Sequence, residues 1–361
     1  MDITVNSTHL NSCGVNAIMI SISSEEMPMK KPTIKIIAKD AGVSEMTVSR
    51  VINNPELVSE ATVKKVLKSM EKYNYKPKMI AKILKGRKSK TVGFLISSRQ
   101  EFYISPFYGE CIRSAATALK DFSLRTLSFN LLDTLSKSLF VDYANSGLLD
   151  GMIIFEGTFQ EDITEVLRVN NIPFVYVGET FQENSDIVSI SSDSYEGARK
   201  GMKYLINTGS KNICFVTGTG SKPSYIHRKQ AYLDAISEAN LEYQNVIETE
   251  RSMMGGMLAA EKLIKQKEEI NAVFCFCDVI AIGVIKRLQE RGVTIPKEIR
   301  VLGFDNIPFA KYTTPALTTI AQDTEKMGMI AANSLLKLMF NEPLENTNII
   351  VPTELIIRES T

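Results

Sequence analysis

The sequence predicts a small all-α headpiece built on a helix-turn-helix, followed by a larger α/β body of doubly wound parallel sheets in two lobes. Three observations predict it. Residues Thr33 to Asn53 read as two short helices around a glycine turn. From Thr91 onward, short β-rich runs alternate with amphipathic helical stretches in two successive series. Charge is uneven: Lys30 to Lys90 holds 16 Lys/Arg against 5 Asp/Glu, or +11, whereas residues 1–29 carry −3 and residues 91–361 carry −7. A basic module on an acidic body is the footprint of a polyanion binder whose remainder has another task.

Composition sets the outer bounds. A chain of 361 residues suggests two or three domains. It is 44% apolar and 23% charged, ordinary for a soluble globular protein. No run of eighteen apolar residues occurs, so no membrane span is expected. Five scattered cysteines (Cys13, Cys111, Cys214, Cys275, Cys277) fit a reducing cytoplasm better than a disulfide framework. Residues 1–31 show no clean periodicity, and Val15 to Ile22 lacks the basic start and long apolar core of a signal peptide. Met27 and Met29 lie at the end of this extension; a start codon placed too far upstream and a disordered natural arm both fit it.

In the headpiece, residues 32–77, Thr33 is placed to cap a first helix whose Ile34, Ile37 and Ala38 recur at helical spacing. Gly42 supplies the stop and Ser44 the second N-cap. The second helix turns Val48, Val51 and Ile52 inward and leaves Glu45, Met46, Thr47, Ser49 and Arg50 exposed. Two helices joined by so short a turn are either a helical hairpin or a helix-turn-helix, whose second helix reads base edges in the major groove. A third helix, roughly Ser59 to Asn74, presents Val63, Val66, Leu67 and Met70 on one face, with Lys64, Lys65, Lys68 and Lys72 on others. Pro77 stops it and starts a short segment, Lys78 to Lys85, which Gly86 ends; residues 78–90 therefore read as a hinge helix and basic linker.

These residues also carry a resemblance. AGVSEMTVSRVIN, then Val58-Ser59, then Tyr73-Asn74-Tyr75-Lys76-Pro77, resembles the DNA-binding headpiece of the lactose/galactose repressor (LacI/GalR) family. The likeness resumes at Val301 to Pro308 and Thr314 to Thr319, so it spans nearly everything from Lys31 to the C-terminus. It implies a homodimer on a palindromic double-stranded operator, with DNA contacts from Thr33, Ser44, Glu45, Met46, Thr47, Ser49, Arg50 and Asn53. It also implies a hinge helix that orders on DNA and wedges Leu84 into the minor groove, with Ala81 one turn earlier. On residue chemistry alone, Ile80, Ile83 and Leu84 would equally bury against the body.

In the body, residues 91–361, the β-rich runs are Thr91 to Ser97, Arg125 to Asn130, Gly151 to Phe155 and Pro173 to Gly178. A second series is Asn212 to Thr217, Val246 to Glu250, Ala272 to Cys277 and Arg300 to Phe304. Phe107 to Phe122 and Asp162 to Asn170 are intervening helices. Two such series imply two lobes, with ligand bound between them at the carboxyl ends of the strands. The family resembles periplasmic sugar-binding proteins in this respect. By that resemblance the chain crosses between lobes near Ile190, Ala321–Asp323 and Asn346–Ile350, giving lobe 1 as 91–190 and 323–346 and lobe 2 as 191–320 and 349–361.

Catalytic motifs are not found. The two histidines, His9 and His227, have no Cys or His neighbour at metal-ligand spacing, Gly218-Thr219-Gly220-Ser221-Lys222 falls short of a phosphate loop, and no G-x-S-x-G elbow occurs. No cofactor or metal is expected. Asp278, at the end of an apolar run, is a carboxylate suited to sugar hydroxyls, and Arg228 a donor from the opposite wall; both match the family's effector contacts. Phe107 and Tyr108 match its cleft aromatics, while Arg251 replaces an aromatic residue of several members and hints at an anionic ligand. Cys277, Gly178 and Ala231 also depart from common family residues and leave any specific sugar open.

The resulting expectation is a cytoplasmic, homodimeric repressor of a carbohydrate operon, switched by a sugar or sugar phosphate. Arg50 is the candidate for a bidentate guanine contact, Glu45 for a cytosine amine and Met46 for a thymine methyl. The ligand would act by reorienting lobes and hence the hinge helices. A transport-type sugar receptor is opposed by the basic headpiece, and a small-molecule enzyme by the missing nucleophile–base pairing.

Overall fold

The computed structural model describes residues 33–53, 55–73, 75, 89–96, 106–130, 134–155, 161–180, 187–220, 222–265 and 270–361. The expected N-terminal extension and the hinge with Ala81 and Leu84 lie outside the described residues. The chain divides into two compact units, Met1–Leu84 and Lys85–Thr361.

The first unit holds three helices, α1 (Ile34–Ala41), α2 (Glu45–Asn53) and α3 (Glu60–Lys72). Gly42 ends α1 at φ 67°, a left-handed conformation in which a Cβ is costly, and this sharp stop turns the chain into α2. Ile37, Ala38, Val48, Val51 and Val66 form the buried centre. Leu67, expected on the inner face of α3, is 53% exposed, because buried Val66 and Ser69 define a stripe that passes one position to its side. Ser69 donates to the Ile37 carbonyl, tying α3 to α1.

The second unit contains two six-stranded sheets. The first has the order β11-β5-β4-β3-β1-β2: β1 (Thr91–Ile96), β2 (Arg125–Asn130), β3 (Gly151–Phe155), β4 (Phe174–Val177), β5 (Val188–Ser192) and β11 (Asn348–Val351). All its pairings are parallel. The second has the order β12-β10-β9-β8-β6-β7: β6 (Ile213–Gly218), β7 (Asn245–Thr249), β8 (Ala272–Cys275), β9 (Arg300–Asp305), β10 (Thr318–Gln322) and β12 (Thr353–Ile356). Only β12 runs antiparallel, against β10. Between the strands lie α4 (Pro106–Lys120), α5 (Thr134–Asn145), α6 (Glu161–Val169), α7 (Ser194–Asn207), α8 (Pro223–Glu238), α9 (Met253–Lys265), α10 (Asp278–Glu290) and α11 (Thr324–Met339).

Parallel strands need crossovers, so helices cover the sheets and the strands are buried on both sides; β1, β3, β5 and β6 are buried along their whole length. Phe215, Phe274, Phe304 and Tyr232 centre the second lobe's core. Phe94, Phe155, Ile153 and Leu335 lie in that of the first. Glycine brings α9 and α10 into backbone contact: a Cβ on Gly283 would fall 2.0 Å from the Met253 carbonyl oxygen.

The chain passes between lobes after β5, after β10 and between β11 and β12. The third passage falls at Pro352, not at Asn346–Ile350, because Asn348–Val351 still pairs with β5 of the first sheet. β8 also ends earlier than expected, at Cys275, and Asp278 opens α10 with Cys277 at its N-cap.

Candidate functional site

The first candidate surface is α2. Ser44 caps it: its Oγ accepts from the Thr47 N–H at 3.1 Å and lies 2.9 Å from the Thr47 hydroxyl. Both hydroxyls are thereby committed to shaping the helix start. Glu45, Met46 and Arg50 project outward, Met46 with 67% of its surface exposed, while Ser49 is half-buried. Asn53 closes the helix. Thr33 sits at the N-cap of α1 and is exposed, but its side chain makes no capping hydrogen bond. Lys35, Lys39, Lys64, Lys65 and Lys68 are exposed on the same unit. Lys72 is engaged elsewhere: its Nζ is 2.5 Å from Asp40, which also accepts from the Tyr73 hydroxyl at 3.1 Å. These bonds, that from Lys72 foremost, hold the Asp40 carboxyl below its ordinary value.

The second is a pocket, partly open to solvent, in the cleft between the two sheets. Its walls come from the carboxyl ends of strands: Ser191 and Ser192 of β5, Gly178 and Glu179 after β4, Asp305 of β9 and Gln322 of β10. α4 contributes Phe107 and Tyr108, α8 contributes Ser224 and Arg228, and Arg251 and Phe276 line it as well. Four of the five expected effector residues, Phe107, Tyr108, Arg228 and Arg251, are thus brought together.

Arg228 is almost wholly enclosed. Its Nη1 donates to the Phe276 carbonyl at 2.7 Å and lies 3.7 Å from Asp305, and its Nε donates to the Ser194 hydroxyl at 3.3 Å. The guanidinium sits 3.5 Å over the Phe304 ring centroid. Asp305 in turn accepts from the Gln322 amide at 2.6 Å, and the Gln322 carbonyl accepts from the Ser192 hydroxyl. Ser192 belongs to the first sheet and Gln322 to the second, so one polar chain spans the cleft from Ser192 to Arg228. Arg251 is half-buried, 5.8 Å from the Phe276 ring centroid.

Asp278 does not reach the cavity wall. It is fully buried, and its two oxygens accept from the Ile307 N–H at 2.9 Å and the Thr319 hydroxyl at 2.5 Å. Burial raises its pKa well above the ordinary carboxylate range. The expectation of Asp278 as an effector contact rests on its place after an apolar run and on the family resemblance; here the strand ends earlier, at Cys275, and the side chain is held inside the lobe. Glu179, Ser192, Asp305 and Gln322 were missed, although the rule that ligands meet strand ends points to each.

Among the described residues, no group of three or more His, Cys, Asp and Glu could hold a metal ion. No helix among them is long and apolar enough to cross a membrane. Cys111, Cys214, Cys275 and Cys277 are buried free thiols, and burial pushes Cys214 up to about 12, leaving it unreactive.

Comparison with known proteins places both regions. Residues 33–78 match the family described as "Bacterial regulatory proteins, lacI family", and residues 202–361 match "Periplasmic binding protein-like domain". The chain is 31% identical over 335 residues to the "Probable HTH-type transcriptional repressor ExuR" of Bacillus subtilis (strain 168), covering 91% of this chain and 98% of the relative. The solved complex of the transcriptional regulator CelR with cellobiose superposes with a TM-score of 0.71 at 25% identity, covering 91% of this chain and all of that one. The fold is also that of the lac repressor dimer bound to operator and the anti-inducer ONPF (TM-score 0.79, 24% identity, 92% and 99% covered).

Proposed function

The chain belongs to the lacI family of bacterial regulatory proteins, and from that premise we propose how it works as a DNA-binding transcriptional repressor. It acts as a homodimer on a palindromic operator in the cytoplasm, and a small carbohydrate held between the two lobes of the body switches it. The two-fold axis of the dimer matches that of the operator. Exposed lysines of the headpiece neutralise phosphates and supply salt-sensitive affinity. Base readout falls to Glu45, Met46 and Arg50, whose side chains stand free of the headpiece core. Ser44 and Thr47 position that helix, and their hydroxyls add contacts to phosphate. Thr33, Ser49 and Asn53 complete the contact set, with Ala81 and Leu84 for the minor groove.

One observation carries the effector half of this reading: the polar chain Ser192–Gln322–Asp305–Arg228 links strands of both sheets inside the cleft. A ligand that hydrogen-bonds to those groups must rearrange a chain tied to both lobes, and so biases their relative orientation. Phe107, Tyr108 and Phe276 supply apolar faces for a sugar ring, and Arg251 a cation for a phosphate or carboxylate. The test is a gel shift of the full chain on DNA upstream of its own gene, with and without neutral sugars, uronates and sugar phosphates. Specific retention that one of these compounds relieves or strengthens is expected; binding without preference for that DNA refutes the reading.

A further inference from the structure

A pair at the edge of this cavity is not used by the polar chain just described. Glu179 follows β4 in the first lobe, and His227 lies in the first turns of α8 in the second. His227 Nδ1 is 2.6 Å from Glu179 Oε2, so the pair joins the two lobes. Exposure is unequal: the His227 side chain is 49% exposed and that of Glu179 only 10%. The second carboxylate oxygen, Oε1, is buried without a hydrogen-bond partner, and Glu179 lines the cavity.

Buried carboxylate oxygens are almost always hydrogen-bonded, and an ionised carboxylate can only accept. An orphaned acceptor on a cavity wall therefore calls for a donor from whatever fills the cavity. Two charges frame that demand. The hydrogen bond to Glu179 raises the His227 pKa, with Asp193 adding to it, so the imidazole is readily protonated beside that carboxylate. Arg228 is already matched with Asp305.

We propose that Glu179 is a specificity-determining residue of the cleft, taking through Oε1 a hydrogen bond from a hydroxyl or ammonium group of a carbohydrate effector while His227 holds Oε2 from the opposite lobe. The inference rests on the cleft reading given above and narrows it. An acidic group on the effector is turned away from Glu179, because two anions there would share one buried corner. His227 acts as a positioning residue.

The test uses the full chain at one pH and four probes, D-glucose, D-glucosamine, D-glucuronate and D-glucose 6-phosphate, followed by titration calorimetry. At least one probe is expected to bind. Glu179→Ala should weaken it tenfold or more, and His227→Gln by a smaller factor. D-Glucosamine outbinding D-glucose assigns an ammonium donor; the reverse assigns a hydroxyl. Histidine NMR checks the geometry without ligand, since the chain has only His9 and His227. His227 should titrate above the ordinary histidine value of 6.5 and fall toward it in Glu179→Gln. Four silent probes, a bound probe indifferent to Glu179→Ala, or a His227 pKa unmoved by Glu179→Gln overturns the inference. If binding survives Glu179→Ala but is lost in Arg251→Gln, the cleft reading stands and this inference alone falls.

Discussion

Replacing Arg228 with alanine tests whether the cleft arginine is part of the frame or only a ligand contact. The guanidinium is shared among the Phe276 carbonyl at 2.7 Å, the Ser194 hydroxyl at 3.3 Å and Asp305 at 3.7 Å. Truncation takes one cation from the buried Asp305 carboxylate and the Nη1 donor from the Phe276 carbonyl. Breaking a buried pair by removing one member costs about 3–5 kcal/mol. Asp305 keeps its hydrogen bond from Gln322, which favours the lower end, about 3 kcal/mol. In a body of this size each kcal/mol lowers the melting temperature by roughly 2–4 °C, so a fall of about 6–12 °C is expected. Arg228→Lys keeps the charge but not the planar fork, and should lose roughly half as much. Thermal unfolding of the full chain followed by circular dichroism reads both variants. An Arg228→Ala protein melting within about 2 °C of wild type would falsify the framework role, since only a solvated or redundant arginine is so cheaply removed.

Other perturbations separate the remaining parts. Arg50→Ala should leave weak, salt-dependent DNA binding but remove roughly 1–3 kcal/mol of preference for operator over random DNA, measured by gel shifts at one salt concentration. An unchanged preference would take Arg50 out of base readout. Gly42→Ala should cost the headpiece about 1–2 kcal/mol through backbone conformation alone, because nothing lies within 4 Å of the added Cβ; an unchanged headpiece melting temperature would contradict the strain. Asp278→Asn should destabilise the body by about 2 kcal/mol, because the amide has one acceptor oxygen where the carboxyl group has two and sets an NH2 against either the Ile307 N–H or the Thr319 hydroxyl. A variant as stable as wild type that has lost effector binding would instead make Asp278 a ligand contact. The His227 pKa is raised on folding by its bond to Glu179, so the pair's contribution is complete below the ordinary value of 6.5 and is lost as pH rises through the raised one. Melting temperatures across that window should fall relative to Glu179→Gln, and parallel curves for the two proteins would exclude the linkage.

The elements most legible in the sequence were those whose burial leaves a strong period. Val48 and Val51, or Ile153 and Phe155, mark a helix face and a two-sided strand because their surroundings demand apolar side chains. β5, β10, β11 and β12 were illegible for the opposite reason. VSISS and TTIAQ carry Ser and Thr where the chain passes between lobes: Ser191, Ser192 and Gln322 line the cleft, while buried Ser189, Thr318 and Thr319 are held by hydrogen bonds instead of apolar packing. Leu67 shows the limit of periodicity within a well-placed helix, since a one-position rotation puts an apolar residue in water and Ser69 inside.

The site was legible by residue type but not by allocation. Asp278 and Asp305 both follow apolar runs of the second lobe, and nothing in composition says which one meets the ligand. Partners decide it. Asp305 (φ 111°) and Asn306 (φ 55°) adopt backbone conformations that side-chain-bearing residues rarely take, and such turns persist only when held by their surroundings. The holding groups are visible: Asp278 accepts from the Ile307 N–H, Thr319 from the Asn306 N–H at 3.4 Å, and Arg358 donates to the Asn306 side chain at 2.7 Å. Asp278 is therefore tied to the turn that presents Asp305 to Arg228 and Gln322. Asp278 spends one acceptor site of each oxygen inside the lobe, whereas Asp305 lines the cavity. Distance along the chain cannot reveal that division, because the residues that fix it lie as far apart as 278, 319 and 358.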